Sequence, residues 1–317
     1  MEKHPNADSL SIVKVNEFTY CARTSDWENN PLGVWIEPDY VVPADRPEFA
    51  WLEKSHKLID NNGVKGYRIK VKRLRGIMSM GLMIPAPEGA KIGDDYREYF
   101  GIVRYEPPTP LSTFGEATKP PPGVRYVYDV ESAYNFVHLF TEGEEVVATE
   151  KVHGANGRWT YVPEIGMFCG SRTEWKRQDP TIIWWKALAE HPEVEEFCKS
   201  HPEITVYGEV YGQVQDLTYG MAKGKIAIIV FDLLRNGNWV DHDEAREIGK
   251  SLPWVPVLYR GPWDKEEIFK MSDGKSKVAS VDQIREGIVV KPVKERNNLE
   301  IGRTQLKIVS NSYLERA

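Results

Sequence analysis

The feature that most limits how this chain can fold is a run of prolines one third of the way along it. The run extends from Glu106-Pro-Pro-Thr-Pro-Leu-Ser-Thr-Phe-Gly to Lys119-Pro-Pro-Pro-Gly123. Proline lacks an N–H and has a fixed φ, so such a stretch cannot lie inside a helix or a central strand. It predicts a partly extended linker over residues 107–123, between a first domain, 1–106, and a larger one, 124–317. Two domains is also the ordinary expectation for 317 residues, and domains near that size can bury a real core. With 41% apolar and 28% charged residues the chain is not wholly disordered. No run approaches the roughly 20 apolar residues of a membrane span, so no membrane partner is expected. The opening Met1-Glu-Lys-His-Pro lacks the apolar stretch of a signal peptide. Three cysteines (Cys21, Cys169, Cys198) without CxxC spacing fit neither a disulfide framework nor a zinc knot. They point to a reducing, cytoplasmic setting. A net charge of −6 argues against a generic nucleic-acid coat. It leaves room for a local basic groove, because net charge does not say where charge sits.

The first third reads as β structure. Ser11-Ile-Val-Lys-Val15 and Val34-Trp-Ile36 are β-rich, and Gly66-Tyr-Arg-Ile-Lys-Val-Lys-Arg-Leu-Arg75 alternates. Ile69 and Val71 would face inward and Arg68, Lys70, Lys72 and Arg75 outward, as on a strand with one buried face. Short strands with Gly and Pro turns suggest a small barrel. The remainder mixes strands and helices in an α+β layout with antiparallel sheets. Glu145–Glu150, Thr205–Tyr211 and Gly287–Lys291 read as strands, and Ile226-Ala-Ile-Ile-Val-Phe-Asp-Leu-Leu234 as a buried one. Pro180–Leu188, Glu193–Lys199 and Asp243–Lys250 read as helices.

Several stations in this second part could bear chemistry, although each alone has a plain structural reading. Lys151 in Glu150-Lys-Val-His-Gly154 sits at a strand end before a turn. Lysine is a nucleophile only when deprotonated, and its reference pKa of about 10.4 must be lowered for that. Gly208-Glu209 sets a carboxylate beside glycines, and Phe231-Asp232 lies late in the apolar strand. Arg285-Glu286-Gly-Ile-Val-Val-Lys291 carries a carboxylate and a lysine at odd spacing, so a bend near Gly287 is needed to face both toward one ligand. Gln305-Leu-Lys-Ile308 places Lys307 between apolar residues. Trp184 and Trp185 read as helix packing, and His138, His191 and His201 lack metal-ligand spacing.

Taken in order, Lys-x-His-Gly, Ser-Arg, Gly-Glu, Phe-Asp, Glu-Gly-Ile-Val-Val-Lys and Leu-Lys resemble the covalent nucleotidyltransferase superfamily of polynucleotide ligases and mRNA capping enzymes. His153 in the first motif looks like an RNA-ligase branch. His4-Pro-Asn-Ala-Asp-Ser-Leu10 and Leu74-Arg-Gly-Ile-Met-Ser-Met-Gly-Leu82 are similar to signatures of tRNA-binding OB folds. An OB barrel ahead of a ligase domain resembles the Deinococcus-type ligases, also called the RNA ligase 5 family. The resemblance implies an N-terminal OB-fold β-barrel and a C-terminal nucleotidyltransferase domain of the ATP-grasp-like ligase adenylation kind, on antiparallel sheets with flanking helices.

It further implies an ATP-dependent RNA ligase acting in RNA repair on 3′-OH and 5′-phosphate ends, with nicks in a duplex carrying an RNA 3′ strand among its substrates, and acting as a monomer. Lys151 would take AMP from ATP, pass it to a 5′-phosphate, and the 3′-hydroxyl would then displace it. Glu150, or the backbone beside it, matches the contact to the adenine edge, Phe231 the ring stacked on adenine, and Arg172 the arginine that grips nucleotide or polynucleotide phosphate. Glu209 matches the glutamate on ribose or metal-bound water, and Glu286 the carboxylate near a catalytic Mg²⁺ or Mn²⁺. His153 would be a metal-water partner. Lys291 and Lys307 match the α-phosphate lysines, and Asn156 would orient the 3′ end. As cations near Lys151, Lys291 and Lys307 are expected to depress its pKa. Relatives carry a second lysine where Val309 stands, so one phosphate contact is expected to be missing or to come from elsewhere, from Arg303 or the OB domain. The row Arg68, Lys70, Lys72 and Arg75 would track RNA phosphates or contact the pyrophosphate side of ATP. The competing readings are a DNA ligase, a GTP-using capping enzyme, and a non-catalytic tRNA-binding OB protein.

Overall fold

The computed structural model of the chain describes residues 2–15, 18–27, 32–61, 63–105, 116–121 and 128–316. The chain divides into two compact units, Met1–Pro110 and Leu111–Ala317. Among the described residues no helix is long and apolar enough to cross a membrane.

The first unit is built from short antiparallel strands. Leu10–Val15 pairs with Phe18–Arg23, Gly33–Ile36 with Leu82–Pro85, and Tyr40–Pro43 with Val64–Arg68. Their apolar side chains meet around Ile36, Val42, Phe49, Tyr67, Ile84 and Phe100. The two terminal signatures meet in space. The buried His4 ring bonds the Leu74 carbonyl through Nε2 at 3.2 Å, and Asn6 donates to the Arg75 carbonyl at 3.2 Å. Arg75 takes a left-handed φ of 48° and Gly76 one of 94°, which closes the turn those carbonyls belong to.

One expectation fails here. The run from Gly66 to Arg75 is not one strand, because Val64–Arg68 and Lys72–Leu74 lie in different sheets. Ile69 leaves the first strand by exchanging backbone bonds with Asp39 and Tyr40. Arg68 is drawn into an ion pair with Asp39 at 2.7 Å, its guanidinium 4.0 Å over the Tyr105 ring. Lys70, Lys72 and Arg75 are exposed, but on segments of different direction rather than along one face.

In the second unit the described residues form a seven-stranded and a five-stranded sheet. The first runs in the order Ala117–Thr118, Trp175–Lys176, Gly166–Gly170, Ala155–Val162, Ile204–Gly212, Ile226–Arg235, Asn238–Trp239. Its outer face buries Trp159, Val206, Ile228 and Leu233 against the helices Ile183–Glu190 and Pro192–Ser200. The second runs Glu131–Ser132, Leu306–Val309, Gly287–Pro292, Glu145–Lys151, Val257–Pro262. Most of the expected linker, 107–123, falls outside the described residues. Within it, Ala117–Thr118 is an edge strand on Trp175–Lys176, the kind of position that tolerates prolines following it.

Strand alternation explains what faces where. In Glu145–Lys151, Val146 and Ala148 point into a core with Ile288, Val290, Leu306 and Ile308. Their neighbours Thr149 and Lys151 point the other way, as do Val289, Lys291 and Lys307 on the adjoining strands. The second face of this sheet thus looks across a cleft at the inner face of the seven-stranded sheet.

Candidate active site

That cleft has a volume of about 210 Å³. One wall supplies Thr149, Lys151, Val289, Lys291 and Lys307, and the other supplies Asn156, Glu209, Ile229 and Phe231. Arg172 and Asp129, paired at 3.4 Å, stand at its edge. The structure therefore brings Glu150, Lys151, Asn156, Arg172, Glu209, Phe231, Lys291 and Lys307 to one cavity.

Two close backbone approaches flank Lys151, one toward each sheet. Gly154 packs so tightly on the Glu209 strand that a Cβ there would lie 2.2 Å from the Val210 carbonyl. Gly287 lies opposite Lys151, and a Cβ on it would meet the Ile308 carbonyl at 2.1 Å. The chain turns at that glycine. Glu286, just before it, reaches Lys151 while Lys291 lines the same cavity, so the bend required by the odd spacing is present.

Lys151 Nζ is 2.6 Å from Glu286 Oε1. Burial alone would push the ammonium pKa down, but the carboxylates of Glu286 and Glu209 outweigh it and hold the pKa above its ordinary value. Glu209 moves the other way. Burial raises its carboxyl, which Lys151 only partly offsets, and it is pushed up to about 8. Burial also acts to raise Glu286, but the Lys151 ammonium overrides it and draws the carboxyl below its usual range.

The expected depression of Lys151 by two later cations is not found: Glu286 and Glu209 hold its pKa up, and the Lys291 ammonium faces carboxylates of its own. That ammonium is bonded to Asp232 and, at 2.8 Å, to Glu295. Arg303 joins the same buried group, with bonds of 2.9 and 3.0 Å to Asp232 and 2.5 Å to Glu295. The cluster thus pairs two cations with two carboxylates. Burial would raise the Asp232 carboxyl, yet Arg303 and Lys291 hold it well below the carboxylate range. Arg303, expected to replace the missing lysine at Val309, is instead spent in this cluster and stacked 4.0 Å over Trp239.

Other expected residues sit differently from the sequence reading. The Glu150 carboxylate points away from the cleft wall and grips Ser276 Oγ at 2.5 Å and the Lys277 N–H at 2.6 Å. His153 has both ring nitrogens engaged, Nε2 with Asp216 at 2.9 Å and Nδ1 with the Tyr313 hydroxyl at 3.2 Å. Its Nδ1 is also 3.5 Å from Glu286 Oε2. Sequence reasoning missed Tyr128, Asp216, Tyr219 and Tyr313. Tyr128 packs on Phe231 at 4.7 Å and forms the back of the cavity, its hydroxyl donating to Asp232 at 2.5 Å and accepting from Gln305 at 2.7 Å. Only its place just beyond the prolines hints at it. Tyr219 accepts the His153 N–H at 2.6 Å.

The donor set suits a hard divalent cation. Glu286 Oε2 is buried and has no hydrogen-bond partner among the described residues, beside a cavity that also holds Glu209. Among the described residues no three His, Cys, Asp or Glu side chains converge as a metal cage. One or two carboxylates completed by water and phosphate oxygens is the usual arrangement for Mg²⁺.

A search of curated protein sequences found no match. Solved structures do match. A variant of the Naegleria gruberi RNA ligase with ATP and Mn aligns with TM-score 0.83 and 24% identity, covering 100% of this chain and 96% of that one. A variant of the same enzyme with AMP and Mn aligns with the same score, identity and coverage. The Naegleria gruberi ligase with PPi aligns with TM-score 0.82 and 25% identity, covering 99% of this chain and 95% of that one. The model of an OB-fold domain matches residues 1–86. The model described as RNA ligase matches residues 144–309, just over half of the chain and every strand that builds the cavity walls described above. The chain therefore belongs to the RNA ligase family, with an OB-fold domain ahead of its ligase domain.

Proposed function

We propose that this protein is an ATP-dependent RNA ligase that joins 3′-OH and 5′-phosphate ends through a Lys151–AMP phosphoramidate and an AMP-capped 5′ end. The observation that bears most weight is one cleft that brings Lys151 together with Lys291 and Lys307 on its own wall, Glu209 and the Phe231 ring on the facing wall, and Glu286 bonded to its ammonium. The Naegleria ligase structures with ATP, AMP and PPi support the reading by analogy of fold.

On this reading Phe231, with Tyr128 behind it, is the face against which adenine lies, and the backbone beside Glu150, rather than its occupied carboxylate, meets the adenine edge. Arg172 and Lys307 hold phosphate oxygens, and Lys291 joins them by exchanging a carboxylate for a phosphate. Asn156 orients the 3′ end. Glu286 and Glu209 hold the divalent cation, Mg²⁺ or Mn²⁺, with His153 behind Glu286. A divalent cation held by Glu286 and Glu209 would supply charge neutralisation at the phosphates. Lys151 gives up its ammonium proton to solvent, its nitrogen forms a bond to the α-phosphorus, and the bond from that phosphorus to pyrophosphate breaks.

We further assign residues 1–106 as the OB-fold domain and 124–317 as the nucleotidyltransferase domain of a Deinococcus-type ligase. It acts as a cytoplasmic monomer in RNA repair and accepts nicked duplexes with an RNA 3′ strand. Incubation with α-labelled ATP tests the core of this. The wild-type protein should retain label through denaturing electrophoresis and Lys151→Ala should not. Label on Lys151→Ala would mean a different nucleophile, and label from GTP alone would mean a capping enzyme.

A further inference from the structure

At the back of the cleft a row of hydrogen bonds fixes the direction of one side-chain amide. Asp232, bonded by the Lys291 ammonium and the Arg303 guanidinium, is a carboxylate and can only accept. The Tyr128 hydroxyl, 2.5 Å from it, has one hydrogen and gives it to that carboxylate. The bond between Gln305 and the same hydroxyl, at 2.7 Å, therefore runs from Gln305 Nε2 to the tyrosine oxygen. With its nitrogen turned to Tyr128, the amide presents its oxygen, Oε1, on the other side.

Gln305 lines the cavity and is only 1% exposed, and among the described residues its Oε1 has no hydrogen-bond partner. Strand alternation sets it on the face of Lys307, two residues on, which lines the same cavity. A buried acceptor left unpaired is costly, and one that persists calls for an explanation. Asn156 Oδ1 is the second such atom among the described lining residues, and it too is an acceptor. The lining thus lacks hydrogen donors, and ATP brings few: the 6-amino group of its base and the two ribose hydroxyls. Gln305 is bonded to Tyr128, whose ring packs 4.7 Å from Phe231, the face against which the base lies on the ligase reading. The donor that falls to Gln305 is therefore the amine of the base.

We propose that Gln305 is a specificity-determining residue whose Oε1 accepts a hydrogen from the 6-amino group of adenine, with Asp232 and Tyr128 setting the direction of its amide. Guanine carries an oxygen acceptor where adenine carries this amine. In the same pocket it would set lone pair against lone pair, so the row from carboxylate to phenol to amide selects ATP over GTP. This deepens the ligase reading and rests on it for the placement of the base against Phe231.

The test is calorimetric binding to the full chain carrying Lys151→Met, which holds nucleotide without reacting, in the presence of Mg²⁺. The probes are ATP, purine riboside triphosphate (ATP without its amine), inosine triphosphate (which keeps guanine's oxygen) and the 2′- and 3′-deoxy forms of ATP. Purine riboside triphosphate should bind about tenfold more weakly than ATP, because it leaves the buried acceptor unpaired, and inosine triphosphate more weakly still. Adding Gln305→Met, close to glutamine in size but without the amide, should bring ATP and purine riboside triphosphate to within about twofold of each other. A merely structural role would weaken both and keep their ratio. Tyr128→Phe, which frees the amide to turn its nitrogen toward the base, should narrow the gap between ATP and inosine triphosphate. Equal binding of ATP and purine riboside triphosphate before Gln305 is changed would overturn the proposal with no further variant needed. So would a gap that survives Gln305→Met, or a Gln305→Met effect confined to the deoxy forms, which would place the contact on ribose. The two readings fail separately. A chain with native Lys151 that forms no AMP adduct from α-labelled ATP counts against the ligase reading, and one that forms it yet binds both purines equally counts against this one.

Discussion

Replacing Asp232 with alanine probes the buried charge cluster directly. In the wild type, Asp232 and Glu295 face Lys291 and Arg303, two negative charges against two positive, with every one of these side chains at 9% exposure or less. Asp232→Ala leaves one carboxylate for two cations, and the Tyr128 hydroxyl loses its acceptor. Removing one member of a buried ion pair costs about 3–5 kcal/mol. An orphaned buried hydroxyl adds about 1 kcal/mol. For a domain of this size each kcal/mol lowers Tm by about 2–4 °C, so the ligase domain should melt about 8–24 °C earlier in scanning calorimetry. The cycle is completed by Asp232→Asn, Lys291→Met and their combination. Because the double variant restores charge balance, it should be less destabilised than the sum of the single variants. A melting point within about 3 °C of wild type for Asp232→Ala, or strict additivity in the cycle, would refute the view that these charges hold one another. The pH dependence has a definite sign. A carboxyl with a depressed folded pKa stabilises fully above its unfolded value of about 3.9 and loses that contribution as pH falls toward the folded one.

Glu209 should behave in the opposite sense. Its carboxyl is raised to about 8 in the fold, so its favourable contribution is complete in acid and fades as pH climbs through that value. Melting curves of Glu209→Gln and wild type should therefore diverge in favour of the variant between about pH 5 and pH 9, and parallel curves would contradict the burial argument. Gly154→Ala should separate the Lys151 turn from the Glu209 strand, because the new methyl would lie 2.2 Å from a carbonyl oxygen. Overpacking of this kind costs about 1–3 kcal/mol, and the variant should lose AMP-adduct formation out of proportion to that; full labelling would show that the spacing is not critical.

How much of this was legible in the sequence depended on whether the signal was local. Ile226–Arg235 and Glu145–Lys151 emerge from apolar runs and alternation, which a strand's own geometry dictates. The six stations were readable because each is a short run of adjacent residues, and in three of them Gly154, Gly208 and Gly287 mark close backbone approach. The pairing of charges was not readable. Nothing near Lys291 in sequence tells that Asp232, 59 positions away, will meet it, nor that Arg303 will share the same acceptor. The error over Lys151 has the same root, since the carboxylates of Glu286 and Glu209 that hold its pKa up come from distant parts of the sequence. Tyr313 escaped for the same reason, as its significance lies in a ring 160 residues distant. In the first unit the alternation of residues 66–75 was real, but it spanned a change of sheet that tertiary bonds from Asp39 and Tyr40 impose.

The clasp between Lys151 and Glu286 bears on chemical durability. An amine held as its conjugate acid has no lone pair to offer, so aldehydes, carbon dioxide and acylating metabolites find no reactive target there. With Lys151 as the nucleophile proposed above, the same contact that delays its reaction shields it from casual electrophiles until the proper one arrives.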